Sequence, residues 1–167
     1  MLYQLFTVMM AAPALAAGLV FTTPDGWKPA ASSSSMRVAQ FVLPRAAGDT
    51  QDAELVVYYF GGSGGTIDAN INRWVAQMQQ PSGAVPARAK RTVNGLAVTL
   101  VDVSGTYIAE MTPGSPQRHN SPNFRLRAAV VETPNGPYFI KLTGPAKTIA
   151  GHESAFEKFV ASLRYQP

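Results

Sequence analysis

The sequence predicts an α+β fold, in which a mainly antiparallel sheet of about six to seven strands is flanked by two main helices as an α/β/α sandwich. Three observations predict it. Beyond residue 17, apolar and polar residues mostly alternate, which indicates strands. A helical spacing of apolar residues is found in only two segments. Turn sequences that contain Asn-Gly separate consecutive candidate strands, which indicates antiparallel hairpins.

The candidate strands are segments of alternating residues bounded by turn-forming residues. They cover residues 19–22, 36–43, 53–60, 88–93, 96–107, 124–132 and 138–143. The third and fifth are apolar on both faces, so we expect them to be central strands of a sheet covered on both sides. The pair Asn94-Gly95 between the fourth and fifth strands predicts a type I′ turn, because both of its central positions require positive φ.

The two helical segments lie after the third strand and at the end of the chain. In the first, apolar side chains at positions 67, 71, 74, 75 and 78 share one face. Thr66 is its candidate N-cap, and Pro81 is expected to end it. In the second, apolar residues at positions 156, 159, 160 and 163 share a face, and Pro145 is a candidate start. Both helices are expected to cover the sheet.

Residues 1–17 are predicted to be a secretory signal peptide. An apolar run over residues 5–17 ends in Ala14-Leu15-Ala16-Ala17, which supplies the small residues that signal peptidase requires. The segment departs from the usual pattern because no lysine or arginine precedes the run. A buried first helix and an uncleaved membrane anchor are the alternatives. Cleavage after Ala17 would leave residues 18–167 as a single domain, periplasmic or extracellular and without a membrane span.

The composition excludes several chemistries. The chain has 14 basic and 10 acidic side chains, a net charge of +4, two histidines and no cysteine. Disulfides, thiolate metal sites, a cysteine nucleophile and a cysteine-linked lipid anchor are therefore excluded. His119 and His152 lie too far apart for a paired-histidine motif and have no carboxylate cluster nearby, so we expect no metal site. No nucleotide-binding glycine motif is present, and we expect no cofactor.

The order of elements resembles the PsbP/Mog1-like fold group. The resemblance rests on an opening strand followed by Pro24-Asp25-Gly26-Trp27, a helix after the third strand, and the ending Phe139-Ile140-Lys141-Leu142-Thr143-Gly144 before the last helix. The chain is also similar to an uncharacterised family of exported bacterial proteins with a Ser-Met-Arg strand and a Tyr-Phe-Gly-Gly loop. The resemblance implies a small accessory domain that docks on a larger assembly or binds a partner protein, and it carries over no functional residue.

The loop Gly61-Gly62-Ser63-Gly64-Gly65 satisfies the G-x-S-x-G motif between a strand and a helix. An alternative function is therefore a small serine hydrolase, with Ser63 as the nucleophile, Asp102 as the acid and His119 or His152 as the base. The antiparallel meander, the two helices and the short chain argue against a hydrolase fold. Any Gly-Gly-Ser-Gly-Gly loop also matches the motif automatically.

The same loop could bind an anion through the backbone N–H groups of Gly62, Ser63, Gly64, Gly65 and Thr66 at the start of the helix. No phosphate-loop lysine accompanies these residues. Asp68 in the first turn already places a negative charge there. The simplest interpretation is a flexible connection between a strand and a helix.

Four basic residues are candidates for partner binding. Arg88 and Lys90 share one strand face, as do Arg125 and Arg127, and the four would form one patch if those strands were neighbours. Such a patch, with the loop over residues 111–123, could bind an acidic protein, anionic lipid headgroups or an acidic polysaccharide. A solvated outer face of the sheet is the alternative. The basic residues are too few, and lack an accompanying aromatic motif, for nucleic acid to be expected.

Asp102 lies within an apolar strand. A buried carboxylate at this position would need an arginine partner or a raised pKa, so Asp102 is either paired or part of a site. A small-ligand binder is the third class of function considered, and it would require an apolar pocket between the sheet and the helices. The sequence does not indicate an oligomeric state.

Overall fold

The computed structural model describes residues 18–32, 34–62 and 64–167, and it confirms the α+β class. The predicted signal peptide, residues 1–17, lies outside the described residues. The elements in chain order are β1 Gly18–Val20, β2 Lys28–Pro29, β3 Arg37–Leu43, β4 Ala53–Tyr59, α1 Ile67–Val75, β5 Met78–Gln79, β6 Ala87–Val93, β7 Leu96–Tyr107, β8 Ser121–Val131, β9 Tyr138–Pro145, α2 Ala146–Gly151, α3 Glu153–Ala161 and β10 Arg164–Gln166.

The main sheet has the strand order β2-β3-β4-β9-β8-β7, and the outer edge of β7 pairs with both β5 and β6. Every pairing is antiparallel. A separate two-stranded sheet pairs β1 with β10. Asn94 and Gly95 have φ angles of 47° and 81°, which confirms the turn predicted between β6 and β7. The third and fifth predicted strands, β4 and β7, are interior strands, as expected.

The helices differ from the sequence prediction at their ends. The Thr66 side chain accepts a hydrogen bond from the Ala69 N–H (3.1 Å), so the predicted N-cap is confirmed. The helix ends at Val75 and not near Pro81, because Met78 instead pairs with Tyr107 in the sheet. The predicted last helix begins at Ala146 but is interrupted at His152, whose backbone leaves the helical conformation.

Alternating side chains of the strands form two apolar layers, one on each face of the main sheet. On one face, Phe156 and Phe159 of α3 pack with Trp27, Leu55 and Ile140. We call this the α3 face. On the other, the α1 face, a second cluster is formed by Ile71, Trp74, Val101, Leu126 and Phe139. None of the helices in the described part of the chain is long and apolar enough to cross a lipid bilayer.

Candidate functional site

Asp102 lies on the α3 face of β7, beside two arginines of the neighbouring strand β8. Arg125 donates to both carboxylate oxygens, from Nε at 2.9 Å and from Nη2 at 2.5 Å. Arg127 lies directly opposite Asp102 in the strand register, with its Nε 3.6 Å from the carboxylate. Asp102 therefore has the arginine partners that its place in an apolar strand requires.

Helix α3 adds two carboxylates above these arginines. Glu153 lies 3.3 Å from Arg125 and 3.6 Å from Arg127. Glu157 accepts hydrogen bonds from Arg127 and from Arg91 of β6, both at 2.8 Å. The ion-pair network is thus formed by Asp102, Glu153, Glu157, Arg91, Arg125 and Arg127. Its three positive and three negative charges balance.

The network favours the charged forms of Arg125 and Glu157. The hydrogen bond to Asp102 raises the pKa of Arg125, although burial opposes the shift. Burial by itself would raise the pKa of Glu157, but hydrogen bonds from Arg91 and Arg127 outweigh it and lower that pKa. Arg127 is only 8% exposed, and its guanidinium lies 4.6 Å from the centre of the Phe156 ring. The network therefore joins α3 to the sheet.

The structure does not bring the four predicted basic residues together. Strand β7 separates β6 from β8, and Arg88 is opposite Val101, which faces α1. Arg88 and Lys90 therefore point to the α1 face, whereas Arg125 and Arg127 point to the α3 face. Arg88 donates to Asn72 at 2.8 Å. Lys90 makes no ion pair with any described residue, so it is the most available cation of the four.

An open groove of about 940 Å³ lies beside the network at the β7 edge of the sheet. It forms because pairing with the edge of β7 stops after Gln79 of β5 and resumes only at Ala87 of β6. Pro81 and Pro86 lie in the connecting segment, and proline lacks the N–H that a continuous strand would need there. The residues that line the groove include Pro81, Ala84, Val85, Asp102, Ser104, Pro122, Asn123, Phe124 and Arg125. The side chain of Val85 is the most prominent, because this residue is 84% exposed.

The glycine loop is tied to α1 by its carbonyl groups. Asn70, 1% exposed, donates from Nδ2 to the carbonyl oxygens of Gly64 (2.7 Å) and Thr66 (2.9 Å). The Thr66 cap occupies the Ala69 N–H, one of the amides that an anion at this helix end could use. Ser63 lies outside the described residues. The anion site over residues 62–66 therefore stays a prediction.

Both histidines lie at the opposite end of the sheet from the described glycines of this loop. His152 Nε2 lies 2.9 Å from the Pro44 carbonyl oxygen, next to the start of β4. His119 stacks on Tyr107, with ring centres 5.0 Å apart, before the start of β8. The glycine loop follows the far end of β4, a strand length of about 20 Å away. The described residues thus offer no support for a serine–histidine pair, nor do they contain a metal-binding group of three His, Asp or Glu side chains.

Sequence reasoning missed Lys141, a lysine between apolar residues of β9. Its side chain lies on the α1 face, donates to Gln77 Oε1, and has its Nζ 5.4 Å from the centre of the Tyr107 ring. Burial lowers the pKa of Lys141 to about 8. Glu54 opposes this shift, while nearby arginines add to it. The signal was present in the sequence, because Lys141 is the one charged residue within the apolar run 138–145.

These elements define a class: an α+β domain in which an antiparallel sheet is covered by helices on both faces. Two solved structures share this fold at a TM-score of 0.52. One is a cyanobacterial PsbP (CyanoP) from Synechocystis sp., 13% identical, covering 95% of this chain and 98% of that one. The other is a Pseudomonas aeruginosa protein of unknown function described as a candidate regulator, 18% identical, covering 89% of this chain and 98% of that one.

The predicted PsbP-like fold group is thereby confirmed. At such low sequence identity, the two likenesses establish the fold alone. No protein-family model matches the chain. No curated protein matches it significantly either.

Proposed function

We propose that this chain is an exported, non-enzymatic binding domain that docks on a protein of the cell envelope through the open groove at the β7 edge. The observation that carries the proposal is the shape and lining of this groove. It is open to solvent, which suits a protein segment, whereas small molecules are usually bound in enclosed pockets. The export part of the proposal rests on the apolar run before Ala17.

The lining of the groove suggests the kind of segment that it would take. Its charged residues, Asp102 and Arg125, already neutralise one another, so they demand no charged partner. Pro81, Val85 and Pro122 provide apolar surface at its rim. An apolar side chain of the partner could therefore be buried against Val85 without leaving a charge unpaired.

The basic edge of the sheet would assist the encounter. Strand β6 is exposed from Ala87 to Thr92 and carries Arg88 and Lys90 on its α1 face. Together with the net charge of +4, these cations would attract an acidic partner from a distance. This attraction weakens with salt, whereas the apolar contact in the groove does not.

The experiment is an affinity capture with the full chain, expressed with its N-terminal segment and a C-terminal tag. Retained envelope proteins are identified by mass spectrometry at low and moderate salt, and the affinity of a retained partner is then measured. Val85→Asp should weaken binding by about tenfold or more, because it places a charge against an apolar contact. Val38→Asp is the matched control, because Val38 is a 51% exposed valine near the opposite edge of the sheet.

The outcomes separate the parts of the proposal. Equal affinity of the Val85 and Val38 variants would exclude the groove as the docking site. Arg88→Glu combined with Lys90→Glu should reduce binding mainly at low salt. If binding were unchanged at both salt concentrations, the basic edge would be excluded as a contributor to partner binding. The intact mass of the purified protein reports cleavage. Retention of residues 1–17 in a cytoplasmic fraction would contradict export.

A further inference from the structure

Strand β6 forms an open edge of the main sheet. It spans Ala87–Val93, pairs with β7 along its whole length without a shift in register, and has no strand of the described chain on its other side. All of its residues except Val93 are exposed. Natural sheets usually protect such an edge with prolines, bulges or charged side chains. Since β6 contains neither a proline nor a bulge, its protection comes from Arg88, Lys90 and Arg91.

The backbone of every second β6 residue points outward from the sheet. In an antiparallel pair, residues that exchange backbone hydrogen bonds alternate with residues whose backbone groups point away from the partner strand. The Ala97 carbonyl oxygen accepts a hydrogen bond from the Glu132 N–H, so the Ala97 backbone faces the β8 side of β7. Thr92 lies opposite Ala97, and its N–H and C=O therefore point to the outer side of β6. By the same alternation, the backbone groups of Arg88 and Lys90 also point outward.

Two cations on one face of β6 are available to a partner. Arg88 and Lys90 are two positions apart and both point to the α1 face. Lys90 makes no ion pair with the residues that the structure describes. Arg88 is 3.7 Å from Asp68, but the Asp68 side chain is 83% exposed, and such an exposed pair is weak. Arg91 differs, because it points to the α3 face and is paired with Glu157 at 2.8 Å. Beside Lys90, an open depression of about 290 Å³ leaves room for the side chains of a partner.

The same charges disfavour a second copy of this chain at the edge. Antiparallel pairing of two β6 strands centred on residue 89 would place Arg88 opposite Lys90. Centring the pair on Lys90 would place two copies of that lysine opposite each other, and centring it on Arg91 would do the same with that arginine. Like charges directly opposite each other destabilise a strand pair. The edge therefore favours a strand that carries acidic side chains.

We propose that β6 binds an extended acidic segment of a partner protein, which joins the main sheet as an additional strand. The backbone of the segment exchanges hydrogen bonds with Arg88, Lys90 and Thr92. Acidic side chains at every second position of the segment lie opposite Arg88 and Lys90, and this spacing fits either strand direction because alternate residues share a face. None of these three residues lines the docking groove. The β6 edge is therefore a second surface, separate from the groove and independent of it.

The test is an NMR titration of the full chain with a short capped peptide of alternating threonine and glutamate. Binding should slow the hydrogen exchange of the Arg88, Lys90 and Thr92 amides, which face solvent in the free protein. The amides of Ala89 and Arg91 face β7 and should exchange slowly with or without the peptide. One control peptide has glutamine in place of glutamate, and another has N-methyl groups on its glutamates, which block backbone hydrogen bonds. Each should bind about fivefold more weakly or worse.

The matched protein variants are Lys90→Glu and Lys28→Glu. Lys28 is also an exposed lysine of an edge strand, but it lies on β2 at the opposite edge of the main sheet. Both substitutions change the net charge equally, so they lower any non-specific attraction equally. Lys90→Glu should weaken peptide binding by about fivefold or more, and Lys28→Glu by about twofold at most. The amide spectra of both variants check that they are folded.

Any of four results would overturn the proposal. They are no saturable binding of the glutamate peptide up to about 5 mM, binding that leaves the outward amides unprotected, equal binding of the N-methylated peptide, and equal effects of the two lysine substitutions. Protection of the same amides on concentrating the protein without peptide would identify a second copy as the occupant and would also overturn it. Val85→Asp should leave peptide binding unchanged, so failure of the groove and failure of the β6 edge are distinguishable.

Discussion

The ion-pair network makes a quantitative prediction about how α3 is held on the sheet. The perturbation is Arg125→Met, which keeps an unbranched apolar side chain but removes the guanidinium. Asp102 would then retain only Arg127, at 3.6 Å and without a hydrogen bond. The side chain of Arg125 is 17% exposed and that of Asp102 28% exposed, so the carboxylate would lose its partner in a partly desolvated place.

The expected loss follows from the contacts removed. Two charge-assisted hydrogen bonds to a partly buried carboxylate disappear, and we expect the free energy of unfolding to fall by about 2–3 kcal/mol. For a domain of this size, that loss lowers the melting temperature by about 5–10 °C. The control is Arg91→Met. Its ion pair with Glu157 is between side chains 41% and 38% exposed, so its loss should cost less than about 1 kcal/mol.

The assay is urea unfolding followed by tryptophan fluorescence, because Trp27 and Trp74 report the two core layers. A double-mutant cycle of Arg125→Met with Asp102→Asn should give a coupling of at least about 1 kcal/mol. Equal losses for the Arg125 and Arg91 variants would refute the reasoning, because burial would then have no influence on the strength of these pairs. A coupling near zero would refute the assigned partner.

Three further predictions concern titration and packing. The lowered pKa of Glu157 means that its contribution to stability is present above the ordinary glutamate pKa and is lost as pH falls through the folded value. Lowering the pH from about 5 to about 3 should therefore reduce the stability of the wild type, measured by urea unfolding, more than that of Glu157→Gln. Parallel curves of stability against pH for the two proteins would contradict this. The pKa of Lys141 is lowered to about 8, so the unfolded chain binds more protons than the folded chain between that value and the ordinary lysine pKa. The free energy of unfolding should therefore rise with pH from about 8 to about 10, relative to that of Lys141→Met. A difference between the two proteins that does not change with pH would show that the ammonium is solvated. A Cβ on Gly105 would collide with the backbone of Gln79, so Gly105→Ala should lower the free energy of unfolding by about 1–3 kcal/mol. The control is Gly151→Ala, whose Cβ meets nothing within 4 Å and which should be neutral or stabilising. Thermal melts that rank the two variants in the other order would contradict the pairing of β5 with β7.

The parts of the fold that sequence could predict are those encoded by local patterns. The bounds of β7 agree with the predicted strand at residues 96–107, because apolar residues on both of its faces mark its length and the Asn94-Gly95 turn fixes its start. Strands β2, β5 and β10 have two or three residues each, and their extended form depends on pairing with distant segments. Local sequence carries too little information about such short strands.

The candidate site was less accessible to sequence reasoning, for a similar reason. Asp102 was expected to need an arginine partner, but the carboxylates that neutralise Arg125 and Arg127 come from a helix whose position is set by tertiary packing. The sequence did contain charges at matching spacings, with Arg125 and Arg127 two positions apart and Glu153 and Glu157 four positions apart. Residues two apart on a strand are separated by about 7 Å, and residues four apart on a helix, such as Glu153 and Glu157, by about 6 Å. Lys141 could be found as a charge in an apolar strand, but its covering by Gln77 and Tyr107 could not.

The short pairing of β1 with β10 determines how the described domain responds to mechanical force. Gly18 pairs with Gln166, and Val20 with Arg164, so the first and last strands lie side by side with their outer ends together. A pull that separates these ends breaks the hydrogen bonds between the two strands one pair after another, and each pair resists only weakly. A lengthwise pull on the same pair would have to break all of its hydrogen bonds at once. The two ends of the described domain should therefore separate at a lower force than the same strands would withstand under a lengthwise pull.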